Sequence, residues 1–243
     1  MIKIWEAYPK LTKVVLQDHR KLNMNATGHN FDHTLQVGQI AAFIAENEYI
    51  AKLAGAAGLC HNADRLLQRQ LSIGKEVDSE GHATAKVVPR EQTIVLVMGW
   101  LEESGEFSGD EPDRILKAVL QHSGPNLDDG DDVLIALQDA DRIVCSMADA
   151  VMGAAQFWSK LPTIDPKWLA SDPTAHSYKN PKSVLKNLEC RRDWIDPSSK
   201  VCVRLPKAWK LMERRVAFME YYIGEIKGQR AEVGLWPNYP FEV

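Results

Sequence analysis

Apolar residues recur along most of this chain at the spacing of an α-helix. The segment HTLQVGQIAAFIAENEY, which begins at His33, places one stripe at positions i, i+4, i+7, i+8 and i+11, formed by His33, Val37, Ile40, Ala41 and Ile44. This is the period of a single helix face, and no convincing alternation typical of strands accompanies it. The spacing predicts an all-α fold, which we expect to be a helical bundle in a single domain over residues 1–243.

Small residues dominate the next helical segment. Residues 51–61 read AKLAGAAGLCH, and side chains of this size let neighbouring helices approach closely, so we expect a central, tightly packed helix. Residues 82–104 are predicted to form one or two helices, with a break or a first turn at Pro89. A further helix is predicted in a segment capped by Ser108 or Asp110 and ending at His122. Two more are predicted, one long helix over 132–158 and one over 205–229. Residues 66–81 are predicted to form a loop, and about 160–200 an irregular segment.

Charge and composition exclude several classes of partner. The formal net charge is −4 and no block of Lys or Arg stands out, which argues against a nucleic-acid duplex or an anionic membrane as the partner. A single bound nucleotide needs only a few basic groups and stays compatible with this charge. No membrane span and no secretory signal are visible, and the four cysteines form no CxxC pair. We therefore expect a cytoplasmic protein with reduced thiols.

Five side chains indicate a metal site. Four of the seven histidines lie at or near helix ends or on apolar helix faces, and Asp141 continues an apolar stripe on its own helix; the histidines are His33, His61, His82 and His122. An inward carboxylate is costly unless it meets a cation. Neutral imidazoles and a carboxylate that converge from separate helices can supply a divalent metal site. Two alternatives stay open: each histidine alone can be an ordinary core residue, and Asp141 can pair with Arg142 or Arg65 instead.

The remaining candidates receive structural interpretations. His19, His29 and His176 are expected to be surface or capping residues, although His29 lies in GHNFDH directly before the first candidate ligand. Asp139 lies about 160° around the helix from Asp141, at 100° per residue. We therefore expect Asp139 to face solvent or to support the site from behind a ligand.

Three motifs, in this order, resemble those of the HD-domain metal-dependent phosphohydrolases. GHNFDHTLQVGQIAAFIAE resembles the first motif of the family, AAGLCHNADR the second and QDADRIV the third. EGHATAK and ILKAVLQHS resemble the intervening segments of the two-metal branch, and RLPKAWKLMERRVAFMEYYIGEI is similar to the terminal helix of bacterial members. The resemblance covers most of residues 27–226 and implies an HD-like helical bundle.

The resemblance also implies roles for individual residues. His33, His61 and Asp141 would hold a divalent ion of unknown identity (Mn, Mg, Fe, Co, Ni or Zn). His82 and His122 would hold a second ion or contact the substrate phosphate. The departure is Asn62, since the family has a metal-binding Asp there and an amide is a neutral, poorer ligand for a hard cation. Asp64, three residues after His61, is a candidate substitute.

Three functions fit these residues. The favoured one is a metal-dependent phosphohydrolase acting on a nucleotide or other small phosphate ester, in which Asn62 or Asp64 completes the metal shell. Arg65 or Lys86 would offset negative charge on the phosphate, although both have solvated surface charge as a simpler interpretation. The second function is an HD-like domain that binds a nucleotide or small phosphate without hydrolysis. The third is a di-iron oxygenase, which the missing bridging Asp disfavours. Sequence alone does not indicate the substrate or the oligomeric state.

Overall fold

The computed structural model describes residues 2–24, 29–72, 88–128, 130–168, 180–237 and 240, and within these ranges the chain is all-α with no strand. Its helices run in chain order α1 Ile4–Ala7, α2 Pro9–Lys21, α3 Phe31–Ile44, α4 Glu48–Cys60, α5 Ala63–Ser72, α6 Arg90–Ser104, α7 Glu111–Gln121, α8 Asp132–Val144, α9 Ala150–Phe157, α10 Val184–Glu189 and α11 Pro206–Glu232. None of these described helices is long and apolar enough to cross a membrane.

Helix α4 is the centre of the bundle, as its small residues predict. Every residue from Leu53 to Cys60 is buried, and the helix packs against α2, α3, α7 and α8. The approach to α3 is closest at two glycines, since a Cβ atom on Gly58 would lie 2.5 Å from the Cα of Gly38. A contact this short admits no side chain, so glycine is required for the two backbones to touch.

Local signals define several helix bounds. The side chain of Asn30 caps α3 by accepting from the backbone N–H of His33, and Asp131 caps α8 by accepting from that of Val133. Pro89 lies directly before α6, and Pro112 lies in the first turn of α7, which ends at Gln121. The predicted positions of both prolines are confirmed.

Three segments differ from the sequence predictions. Residues 66–72 are not a loop but the greater part of α5, because Leu66 is buried and anchors the helix to the core. The predicted long helix over 132–158 is interrupted between α8 and α9, where the hydroxyl of Ser146 donates to the carbonyl oxygen of Arg142. Residues 184–194 form α10 and a 3₁₀ turn, and α10 packs with α9 and α11 around a second apolar cluster.

Candidate metal centre and cavity

Two candidate histidines are oriented by the helices that precede them. His61 follows α4 and His122 follows α7, each as the C-cap residue. In each ring, Nδ1 lies close to the carbonyl oxygen three residues earlier, 2.6 Å from that of Gly58 and 2.7 Å from that of Val119. A carbonyl oxygen only accepts, so Nδ1 carries the hydrogen and Nε2 keeps a lone pair. Both imidazoles are thus held in the tautomer that can bind a metal through Nε2.

Three candidate ligands from three helices meet at one point. The Nε2 atoms of His33 and His61 are 3.3 Å apart, and the Oδ1 atom of Asp141 lies 3.6 Å from the first and 3.9 Å from the second. A point equidistant from the three atoms lies about 2.1 Å from each, which is the length of a bond from nitrogen or carboxylate oxygen to a transition-metal dication. The group can therefore hold a metal ion.

The ionisation states of this group suit a cation. Burial is the main influence on His61 and holds the pKa of its imidazole well below the ordinary value. Burial acts to raise the pKa of Asp141, but His33, with Nε2 3.6 Å from Oδ1, and the other nearby imidazoles outweigh it and lower that pKa below its usual range. A neutral imidazole and an ionised carboxylate are the forms that bind metals.

The residues that follow His61 do not extend this group. Asn62 is buried, and its Nδ2 donates to the hydroxyl oxygen of Thr34 at 3.3 Å. At the position where the HD motif has a charged aspartate, this chain therefore has a neutral amide that is hydrogen-bonded to α3. Asp64, the candidate substitute ligand, is not part of the group; its carboxylate lies 3.8 Å from the Nε atom of Arg65. Arg65 lines the cavity described below and also donates to Gln68.

Of the two residues predicted to hold a second metal ion, only His122 lies within the described residues. The His122 ring stands edge-on to His61, with centroids 5.4 Å apart, but it is outside the group of three. His82 and Lys86 lie outside the described residues, as does His176. The structure therefore places His122 beside the centre and leaves the second ion a proposal.

Two histidines that the sequence assigned to surface or capping roles are neither. His29 lines the cavity, and its ring contacts that of His33 at 5.6 Å between centroids; burial, followed by the charge of Arg65, lowers its pKa to about 3. His19 is 1% exposed and packs against Phe31. The position of His29 within GHNFDH was one available signal, and the other was the spacing of His19, which follows Leu11 and Val15 at intervals of four residues on α2.

Asp139 does not face solvent, so the first of its two predicted roles is wrong. Its carboxylate is fully buried and accepts from the backbone N–H groups of Arg204 and Leu205, where α11 begins, at 2.7 and 2.8 Å. The chain before α11 covers this face of α8, which no helical periodicity within α8 could reveal. Asp141 and Asp139 thus use opposite faces of one helix, the first toward the candidate metal centre and the second toward the fold.

Helix α8 also holds the segment that follows His122. The Nε2 atom of Gln138 lies 3.2 Å from the carbonyl oxygen of His122 and 3.3 Å from that of Gly124. Arg142 donates to the side-chain oxygen of Asn126 at 2.7 Å and to the carbonyl of Cys202 at 3.2 Å. Arg142 therefore pairs with this segment and with Asp139 rather than with Asp141, at an Nη1–Oδ1 distance of 3.7 Å from Asp139.

The candidate metal centre opens into a cavity of about 850 Å³. Its polar lining includes the three grouped side chains together with His29, His122 and Arg65, and α9 contributes a further wall with Met152 and Phe157. A volume of this size suits a small-molecule ligand. The arrangement is that of an all-α protein with a candidate metal centre at one side of a ligand-sized cavity.

No protein-family model and no curated protein sequence matches this chain. The solved structures that are similar to it in fold include the following two. A protein from Lactobacillus plantarum, a target of the Northeast Structural Genomics group, has 16% identity and a TM-score of 0.62 over 93% of this chain and 98% of its own. YpgQ from Bacillus subtilis, in complex with ADP, has 18% identity and a TM-score of 0.53 over 91% of this chain and 99% of its own. At these identities the likeness shows the fold alone.

Proposed function

We propose that this chain is a metal-dependent phosphohydrolase of the HD-domain type, acting on a nucleotide or another small phosphate ester. The observation that carries the proposal is the triangle of His33, His61 and Asp141, with ligand atoms 3.3 to 3.9 Å apart, at the wall of a ligand-sized cavity. These are the three residues that the HD-like motifs single out as ligands of one ion. A divalent cation held there would acidify water and draw negative charge from a phosphate group.

The surrounding side chains support binding of an anionic substrate. Arg65 lines the same cavity and carries the positive charge that a phosphate group would meet. His122 keeps a lone pair on Nε2 because its Nδ1–H is bound to the carbonyl of Val119. A phosphate oxygen is itself an acceptor, so that nitrogen matches a cation better. We therefore assign His122 to a second divalent ion rather than to direct contact with phosphate.

A nucleotide is the best-supported substrate class. The cavity has room for a molecule of that size, and its lining combines polar groups at the candidate centre with apolar groups on α9. YpgQ, which shares the fold, is known in complex with ADP. Together these observations favour a nucleoside phosphate over a smaller ester.

A second candidate function is binding without turnover. Asn62 stands where the HD motif has an aspartate, and its amide donates to Thr34 instead of offering a charge to a cation. A centre with fewer anionic ligands binds hard cations more weakly. In that case the cavity would hold a nucleotide or small phosphate intact.

Metal content and turnover of the purified protein test the first proposal. We expect at least one transition-metal ion per chain after supplementation with Mn²⁺, and phosphate release from nucleotides. Asp141→Asn should weaken metal binding by roughly tenfold or more. Asp132→Asn is the matched control, because it makes the same charge change on the same helix at an exposed position away from the cavity. Equal loss in both variants, or no bound metal in the natural protein, would contradict the proposal.

Asn62→Asp separates hydrolysis from binding alone. If the natural protein already hydrolyses nucleotides with Mn²⁺ or Mg²⁺, the binding-only function is excluded. If turnover appears only in Asn62→Asp while the natural protein binds ADP, the chain is a binding protein built on a hydrolase-like site. Nucleotide affinity measured by calorimetry and phosphate release measured by a colorimetric assay give the two readouts.

A further inference from the structure

Helix α9 gives the cavity a wall whose chemistry differs from that of the candidate metal centre. Met152 and Phe157 both line the cavity, yet they remain 67% and 46% exposed. Small-molecule sites combine apolar and aromatic surfaces with a few polar groups that fix orientation. The polar end of this cavity can bind a charged group of the ligand. The apolar surface on α9 is available to bind an uncharged part of the same molecule.

Phe157 lies close enough to the candidate metal centre for one ligand to reach both. The centroid of its ring is 5.2 Å from that of His29, and the His29 ring is 5.6 Å from that of His33. Only one imidazole therefore separates the phenyl ring from a metal-ligating side chain. A molecule that places a phosphate group at the centre can lay a flat ring against Phe157 at the same time.

We propose that Phe157 determines specificity by stacking on an aromatic ring of the ligand, so that the site prefers nucleoside phosphates to phosphates without a ring. This inference rests on the proposed function, because it assigns the remaining part of the same substrate. A phenyl face presents neither hydrogen-bond donor nor acceptor. Stacking on it selects a flat ring by area and tolerates different bases.

A purely structural role for Phe157 makes a different prediction. Its ring contacts Trp158 at 4.9 Å between centroids as well as His29, so it could serve only to hold α9 against the site. Loss of such a support would weaken every ligand of the cavity alike. Loss of a stacking surface weakens only ligands that carry a ring.

Binding of ADP and of inorganic pyrophosphate, each with Mn²⁺ and measured by calorimetry, tests the inference. Pyrophosphate offers linked phosphate groups without nucleoside. We expect Phe157→Ala to weaken ADP binding by roughly fivefold to a hundredfold, the range for loss of one base–aromatic stack, and to change pyrophosphate binding less than about twofold. Phe157→Trp should retain ADP affinity. Phe43→Ala, which removes a phenyl ring of similar exposure at 41% from α3, is the control and should change neither.

Equal weakening of both probes by Phe157→Ala, or no weakening of either, would overturn the stacking role. The same conclusion follows if the natural protein binds ADP no more tightly than pyrophosphate, and in that case phosphate release can still establish the phosphohydrolase. Conversely, an ADP-specific loss in a protein that never releases phosphate would support the stacking role and reject the proposed hydrolysis.

Discussion

Replacing His19 with phenylalanine is expected to stabilise this protein, and to do so most strongly in mild acid. His19 is 1% exposed, and neither ring nitrogen has a hydrogen-bond partner within the described part of the chain. Its ring packs edge-on against Phe31, with centroids 5.7 Å apart. A polar group buried without a partner costs about 1–3 kcal/mol. A phenyl ring of nearly the same shape removes that cost.

The pH dependence follows from the depressed pKa of this imidazole. Burial is the main cause and lowers the pKa of His19 from 6.5 to about 4, with Asp18 opposing and the charge of His33 adding to the shift. As the pH falls below 6.5, the unfolded chain takes up a proton at His19 before the folded chain does. Stability is therefore retained above pH 6.5 and lost between about pH 6.5 and pH 4. One pKa unit corresponds to about 1.4 kcal/mol, so the loss at pH 4 is about 3 kcal/mol.

Urea denaturation of the natural protein and of His19→Phe, at several pH values between 4.5 and 7.5, measures this difference. The advantage of the variant in free energy of unfolding should grow as the pH falls. Val15→Ala, at a buried position one turn earlier in α2 that carries no titrating group, is the control and should show the same offset at every pH. A variant less stable than the natural protein at pH 7, or an advantage independent of pH, would refute the reasoning.

Two further substitutions test the packing that supports the candidate site. Gly58→Ala would place a Cβ atom 2.5 Å from the Cα of Gly38. We therefore expect the free energy of unfolding to fall by about 3 kcal/mol and Mn²⁺ binding to weaken. Thermal melting and calorimetry measure the two effects, and unchanged values would contradict this expectation. Asp139→Ala removes the acceptor at the start of α11 and leaves buried charge unpaired, so urea denaturation should show a loss of about 3 kcal/mol. The exposed Asp132→Ala is its control, and an equal effect of both would exclude the assigned role.

The sequence correctly predicted those features of the fold and the site that depend on a single helix. Apolar spacing was sufficient to predict the all-α fold. The small residues of α4 were sufficient to predict its central position. Periodicity also placed Asp141 among core residues of α8, and the structure brings it together with His33 and His61. In each case the signal lies within the segment that carries the residue.

The sequence did not predict what depends on contacts between distant segments. Asp139 was expected to face solvent or to support the site, because its angle on α8 carries no information about the chain before α11 that covers it. His29 reaches the cavity through contacts with α3 and α9. Short helices such as α10 were missed because proline and polar residues around them resemble a loop.

The close crossing of α3 and α4 also bears on the geometry of the candidate metal centre. The carbonyl oxygen of Gly58 receives the Nδ1–H of His61, and the same residue lies against Gly38 on the helix that carries His33. Neither helix can approach the other further, so the separation of the two imidazoles is fixed by contact between backbones. The size of any ion that the candidate centre could hold would therefore depend in part on two residues that have no side chain at all.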